Sequence, residues 1–356
     1  MRRLLFTLIV LVLSAPLTPG ALERPDREFK VFQFPRDRMP RIDGDTLDWD
    51  IVPESYAVGM DELVDTESGH GADRNPDDLD VTVRVGWVKG LDRLYVLYEA
   101  YDDFWNMYYK RGDIFEVAVD ADLSGGPYGV NPQMPDRWDN YFGFKGIHAQ
   151  NYHILTPPGE GRDWMLVPGC NPWIGDFPWA NGVFSYDFKE GEGGKLVLEC
   201  WITPFNYAPY DGPDRAVVSR LAEDALIGLS WAVLDYDEVQ GQLDGFWNLS
   251  HTSAMASDAS ALCAFRLMSP EPPFIKPIEA DWDFTVLDMD ARTVIFTDRS
   301  SGEIVSRSWD FDDGSSSTDE CPVHRYEKPG EYTVTLTVSG PAGTSKLTRV
   351  RRVVVR

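Results

Sequence analysis

Apolar and polar residues alternate with a period of two in several short runs separated by Gly- and Pro-rich turns. Val81-Thr82-Val83-Arg84-Val85-Gly86-Trp87 is the clearest run, and Gly90-Leu91-Asp92 turns the chain into a return run over residues 94–100. Such alternation puts every second side chain on one face, as a half-buried strand requires. Residues 115–119, 141–144, 182–186, 195–202 and 227–233 continue the series. A helix is predicted only over residues 219–226, with Ser219 as its cap. Many short strands with little helix predict an all-β chain, built on a large antiparallel β-sandwich of jelly-roll type.

The alternation stops near Met268. Ser269-Pro270-Glu271-Pro272-Pro273 cannot continue a central strand and reads as a stiff linker over residues 269–273. A second, smaller β-unit is expected over residues 274–356, with residues 333–338 as its clearest strand. At the other end, Arg2 and Arg3 precede an apolar run over residues 4–13 and a small, Pro-broken stretch. That pattern reads as a signal peptide over residues 1–21, cut near Gly20 or Ala21. The expected location is therefore secreted, periplasmic or at the cell surface. The first sandwich is then expected over residues 22–268.

Charge narrows the partners. With 58 acidic and 33 basic side chains the formal net charge is -25, which excludes nucleic acid and anionic membrane as partners. Neutral ligands or cations suit such a surface better. Residues 43–80 carry much of the excess acid and are expected to wind over the surface. The four cysteines, Cys170, Cys200, Cys263 and Cys321, allow three full pairings after export. Cys200 and Cys263 sit in strand-like runs and equally suit buried free thiols.

Trp309-Asp310-Phe311-Asp312-Asp313-Gly314, His324-x-Tyr326 and Lys328-Pro329-Gly330-Glu331-Tyr332-Thr333-Val334 resemble the signature of a PKD domain. That resemblance implies a small immunoglobulin-like β-sandwich. Trp309 and Phe311 would alternate inward while Asp312-Asp313-Gly314 turns the chain.

The entry Ile42-Asp43-Gly44-Asp45-Thr46-Leu47-Asp48-Trp49 begins a second set of motifs. Tyr101-Asp102-Asp103, Gly112-Asp113-Ile114-Phe115-Glu116-Val117-Ala118-Val119-Asp120 and the late strand Ile227 through Asp235 follow in order. Together they resemble the carbohydrate-binding modules of family nine, within the DOMON-like sandwiches. The resemblance implies non-catalytic binding of polysaccharide or surface glycan, between aromatic rings, with structural Ca²⁺. This chain has Tyr108-Tyr109-Lys110 and Trp247 near the places of the family's two tryptophans, and a longer insertion over residues 125–180.

Sugar rings stack their C–H faces on aromatic side chains, so loop aromatics are the natural ligand-binding candidates. They are Trp105, Tyr109, Trp138, Trp173, Trp179 and Trp247. Trp87, Trp201, Trp231, Trp282 and Trp309 lie in strand-like runs and read as packing residues. For a metal, Asp120-Ala121-Asp122-Leu123-Ser124-Gly125 fits the first half of a Ca²⁺ loop, with Asp120, Asp122 and Ser124 as ligands. Its twelfth position is Asn131 instead of Glu, and a Gly-closed hairpin turn explains the same residues. The chain is thus expected to bind glycan without being an enzyme. The alternatives are an extracellular structural or adhesion protein without sugar binding, whose sandwich contacts a cell-surface protein or nothing, and a glycoside hydrolase, for which no carboxylate pair stands out.

Overall fold

The computed structural model describes residues 22–356 apart from 109–110, 132, 135, 170 and 239–240, and without the side chains of 141 and 142. The segment read as a signal peptide therefore lies outside the described residues. The chain forms two compact units, one ending at Ser269 and the other running Pro270–Arg356.

In the larger unit the main strands are β1 (Glu23–Gln33), β2 (Leu79–Trp87), β3 (Leu94–Asp102), β4 (Ile114–Asp120), β5 (Gln150–Leu155), β6 (Ala180–Tyr186), β7 (Gly194–Ile202), β8 (Leu226–Asp235), β9 (Gly245–Asn248) and β10 (Cys263–Leu267). They form one curled sheet in the order β5-β4-β8-β10-β1-β2-β3-β7-β6, with the short run Met165–Leu166 beside β5 and β9 beside β8. The sheet bends at β1. Most of β1 pairs with β10, while Phe32 and Gln33 pair with Gly86 and Trp87 of β2. Both β1 pairings are parallel; the others are antiparallel. Folding the sheet on itself gives two layers: β5, β4, β8, β10 and most of β1 face β2, β3, β7 and β6.

The period-two pattern drives this packing. Val81, Val83, Val85 and Trp87 point inward from β2, and Phe115, Val117 and Val119 from β4. Trp231 of β8 and Tyr98 of β3 lie in the same core. A second apolar cluster, with Ala118, Tyr128, Phe246, Met255 and Leu262, covers the outer side of the β4–β8 pair. This leaves β4 buried on both faces.

Two elements differ from the sequence pattern. Residues 219–226 form no helix. Ser219 Oγ bonds Asn206, the Asp92 carboxylate takes Leu221 N and Arg220, and Asp224 adopts φ 62°. Local side-chain bonds and a left-handed residue thus displace the helical turn. Residues 141–144 are no strand; they end the helix α1 (Arg137–Gly143), whose N-cap Asp136 accepts from Trp138 N and Asp139 N. Residues 43–80 also do more than cover the surface: Trp49, Tyr56, Met60 and Leu63 are buried between short 3-10 turns.

The smaller unit has β11 (Trp282–Asp288), β12 (Thr293–Asp298), β13 (Ser306–Asp310), β14 (Val323–Arg325), β15 (Gly330–Gly340) and β16 (Gly343–Val355). One sheet has the order β11-β12-β14, and the other joins β13, β15 and β16. Trp282, Phe296, Trp309, Phe311 and Tyr326 fill the space between them, with the two indoles 5.9 Å apart.

Candidate metal centre

One end of the larger unit collects carboxylates from both layers. Asp102 is the last residue of β3, Asp113 precedes β4, and Asp235 ends β8. A ligand oxygen from each lies within 4.8 Å of the other two, and all three residues are buried. Asp78, just before β2, joins Asp103 and Asp237 in one neighbouring set, and Asp235 and Asp244 in another. Antiparallel pairing explains the convergence. Residues 102 and 113 bound one connection, and residues 235 and 244 bound the β8–β9 hairpin beside it.

The connection between β3 and β4 is locked by Asp113. Its two oxygens accept from Asn106 N at 2.6 Å and Tyr236 N at 3.0 Å. Asn106 Nδ2 in turn donates to the carbonyls of Tyr236 and Glu238. Gly112 is required here, because a Cβ would stand 2.4 Å from Asn106 O.

These bonds do not neutralise the cluster. Asp102 Oδ1 accepts from Phe104 N at 2.7 Å, whereas Asp235 Oδ1 has no hydrogen-bond partner among the described residues. The Tyr98 hydroxyl, wholly buried nearby, also has none. Burial first, and the field of neighbouring aspartates second, push Asp102 up to about 7 and Asp235 up to about 9. Asp113 is raised well above the usual carboxylate range for the same reasons. Asp237 is raised to about 6, by burial and then by Asp78. Ionised carboxylates only accept hydrogen bonds, so this centre holds either protons or a cation. The donors are all oxygen, which suits a hard ion such as Ca²⁺ or Mg²⁺ more than Zn²⁺.

The Asp120-Ser124 loop is built differently. Asp120 is buried and accepts from Gly125 N at 2.8 Å and from Ser124 N and Oγ at 3.3 and 3.2 Å. Asp122 accepts from Ser124 N at 3.2 Å and is exposed. Local turn donors thus occupy these oxygens, and burial raises Asp120 to about 6. Asp65, which the sequence did not single out, is held the opposite way. Burial pushes it up, but the N–H groups of Phe246, Glu67, Ser68 and His70 outweigh this and hold it at about 2.

The aromatic candidates are dispersed. Trp105 is buried, stacked on Phe188 at 5.0 Å, and donates to Gly194 O. Trp173 and Trp179 meet edge to face at 5.8 Å and are half-buried, with Trp173 Nε1 on Pro209 O. Trp247 is buried in β9 against the His70 ring, near Asp244, which lies 3.9 Å from His70. Trp138 alone of these is open, 63% exposed on α1. Tyr109 lies outside the described residues. Phe177, 80% exposed, and Tyr210, 59% exposed, are open rings that the sequence reading did not single out. Cys200 and Cys263 are buried free thiols, Cys321 is an exposed one, and Cys170 is outside the described residues. No helix among the described residues is long and apolar enough to cross a membrane.

The smaller unit's two sheets, packed around Trp282 and Trp309, meet a family model over nearly their whole extent. Residues 270–355 match the PKD domain family. This PKD unit also resembles the solved PKD1 domain of the Vibrio cholerae metalloprotease PrtV, at 32% identity over 21% of this chain and 93% of that one, with a TM-score of 0.19. A family-nine carbohydrate-binding module from Caldicellulosiruptor kristjanssonii, solved with cellotriose, is similar at 12% identity over 70% of this chain and 98% of that one, with a TM-score of 0.45.

Among curated proteins, the microbial collagenase of Vibrio alginolyticus is 46% identical over 65% of this chain and 31% of its own length. The pre-pro-metalloprotease PrtV of Vibrio cholerae is 50% identical over 13% of this chain and 5% of its own. The chain thus spans less than a third of either relative. These matches count against the expectation that the chain is not an enzyme, since the relatives it matches are named as collagenases and metalloproteases.

Proposed function

We propose that the chain is an exported, cation-dependent binding protein. Its larger unit holds a divalent cation, Ca²⁺ by its donor set, and recognises glycan through aromatic rings carried on the connections. The observation that carries this reading is the buried Asp102–Asp113–Asp235 centre, in which Asp235 Oδ1 lacks a donor. Leaving three carboxylates in a dry site without a counter-charge costs several kcal/mol, on the order of the penalty for any uncompensated buried charge. A cation would remove that cost and fix the roots of the connection between β3 and β4 and of the β8–β9 hairpin.

For the ligand, the exposed rings of Trp138 and Phe177 supply flat apolar faces on an otherwise acidic surface. Stacking on a neutral sugar satisfies such faces without adding charge. The names of the protease relatives support a second reading, in which the bound polymer is a protein such as collagen. An array carrying neutral glycans beside collagen, probed with the full chain in Ca²⁺ and in chelator, tests both. Glycan binding that vanishes in chelator supports the first reading. Binding to collagen alone supports the second, and no binding to either rejects both.

A further inference from the structure

The outer side of the β4–β8 pair is covered by an apolar cluster, whereas that of the β2–β3–β7 layer is covered only in part. A groove of about 260 Å³ remains there. The period-two pattern sends Val81, Val83 and Leu198 inward, so Asp80, Thr82 and Arg84 of β2, Glu99 and Tyr101 of β3 and Lys195 of β7 face outward. Antiparallel register sets these residues in rows across the strands. Asp80, Tyr101 and Lys195 form one row, and Thr82 and Glu99 lie side by side in the next. Arg84, Leu97 and Glu199 form the third, and the segment over residues 43–54 covers it. Glu199 accepts from Asp43 N at 3.2 Å, Gly44 N at 2.7 Å and Trp49 Nε1 at 2.9 Å, and Leu97 is 1% exposed. The cover ends at that row, which leaves a step beside the two open ones.

The open rows carry polar groups that the fold does not use. The Tyr101 hydroxyl, Thr82 Oγ1 and Glu99 Oε1 have no hydrogen-bond partner among the described residues, and all three reach solvent. Glu99 is nevertheless held in place. Arg84 Nη1 donates to its Oε2 at 2.7 Å, and Arg84 Nη2 donates to Glu54 Oε2 at 2.8 Å. One oxygen of Glu99 is thus fixed by the guanidinium and the other is free. Tyr101 is the aromatic ring of these rows. It is half-buried, and paired strands on both sides fix its position.

Charge decides the class of ligand. Arg84 stands between Glu54 and Glu99, and the register puts Asp80 and Lys195 on opposite sides of Tyr101. Each charge therefore has the opposite sign close by, on a chain whose net charge is -25. Neither a polyanion nor a cation gains by entering such a surface. A neutral polyol does: the C–H face of a sugar ring stacks on Tyr101, while its hydroxyls meet Thr82 Oγ1 and Glu99 Oε1. Adjacent strands lie about 4.8 Å apart, so three strands give a floor about 10 Å across, longer than one sugar ring.

We propose that this groove is a contact site for a neutral glycan chain, which stacks on Tyr101 and shares hydroxyls with Thr82 and Glu99. The inference rests on the glycan reading above and adds a strand face to the rings of the connections. The test titrates the full chain and its variants Tyr101→Ala and Thr82→Val by calorimetry in Ca²⁺. The probes are cellotetraose, xylotetraose, mannotetraose and tetragalacturonate, together with any neutral glycan that the array identifies. The melting midpoint reports folding. Thr82→Val keeps a β-branched residue in the strand, which guards against a variant that fails to fold. At least one neutral probe should bind the parent, lose about tenfold or more in affinity in Tyr101→Ala, and lose about threefold in Thr82→Val at an unchanged midpoint. Neutral binding that is the same in both variants overturns the groove assignment and leaves the glycan reading standing. Tighter binding of tetragalacturonate than of every neutral probe overturns the ligand class. A parent that binds no glycan here or on the array overturns both the groove and the glycan reading.

Discussion

Asp102 and Asp235 bring carboxylate oxygens within 4.8 Å of each other from opposite layers of the larger unit. One ends β3 and the other ends β8, so a cation between them would fasten the layers together at that end. The same two side chains would push the layers apart when both are ionised without a cation.

This gives a prediction of opposite signs. At pH 8 in chelator, Asp102→Asn should raise the melting midpoint, because it removes a charge from a buried cluster. The sign follows from linkage. Asp102 at about 7 and Asp235 at about 9 keep protons in the folded state that the unfolded chain has released, so cation-free stability falls as pH rises from about 4 to 9. In saturating Ca²⁺ the same substitution should lower the midpoint, since a ligand is lost. Melting curves of parent and variant in the two buffers check this.

Asp65 should behave conventionally. Its carboxyl lies at about 2 when folded, below its unfolded value, so it stabilises the protein above about pH 4. That stability is lost as pH falls toward 2. Asp65→Asn should cost about 2 kcal/mol at pH 7, shrinking toward zero at pH 2. Denaturant unfolding across that range would measure it.

Two tryptophans should separate packing from binding. Trp105→Ala opens a cavity beside Phe188 and should cost about 3–5 kcal/mol of stability. Trp138→Ala, on the open face of α1, should leave the midpoint nearly unchanged and weaken glycan binding by about 1 kcal/mol. Parallel melting and binding titrations distinguish them.

In the PKD unit, Trp309 is fully buried and its indole donates to Asp319 O. Trp309→Ala should cost about 3–5 kcal/mol there, while calorimetry of the full chain should show the transition of the larger unit unmoved.

The strands were legible because alternation is a local property. Val81 to Trp87 reads as a strand from seven residues alone, and the structure places its apolar members inward. Trp309 and Phe311 were legible for the same reason. α1 was not, since Tyr141, Phe142 and Phe144 look like strand residues and the deciding signal is the single cap Asp136. The carboxylate centre was hidden differently. Asp102, Asp113 and Asp235 stand in the sequence within fold motifs, far apart along the chain, whereas other acids lie close together in it. Asp43, Asp45 and Asp48 are such acids, and the structure gives them turn and cap duties: Asp45 caps a 3-10 turn and Asp48 accepts from Arg41 N. Proximity in sequence serves turns, whereas a centre assembled from strand ends needs the topology.

The most direct test of the account is a Ca²⁺ titration of chelator-treated full chain by calorimetry, with bound metal counted by elemental analysis. The account predicts saturable binding and a higher melting midpoint in Ca²⁺, by about 2.7 kcal/mol in stability at a hundredfold excess over Kd. It also predicts loss of that binding in Asp235→Asn. A midpoint and heat signal that do not change between Ca²⁺ and chelator, with no metal bound, would contradict it.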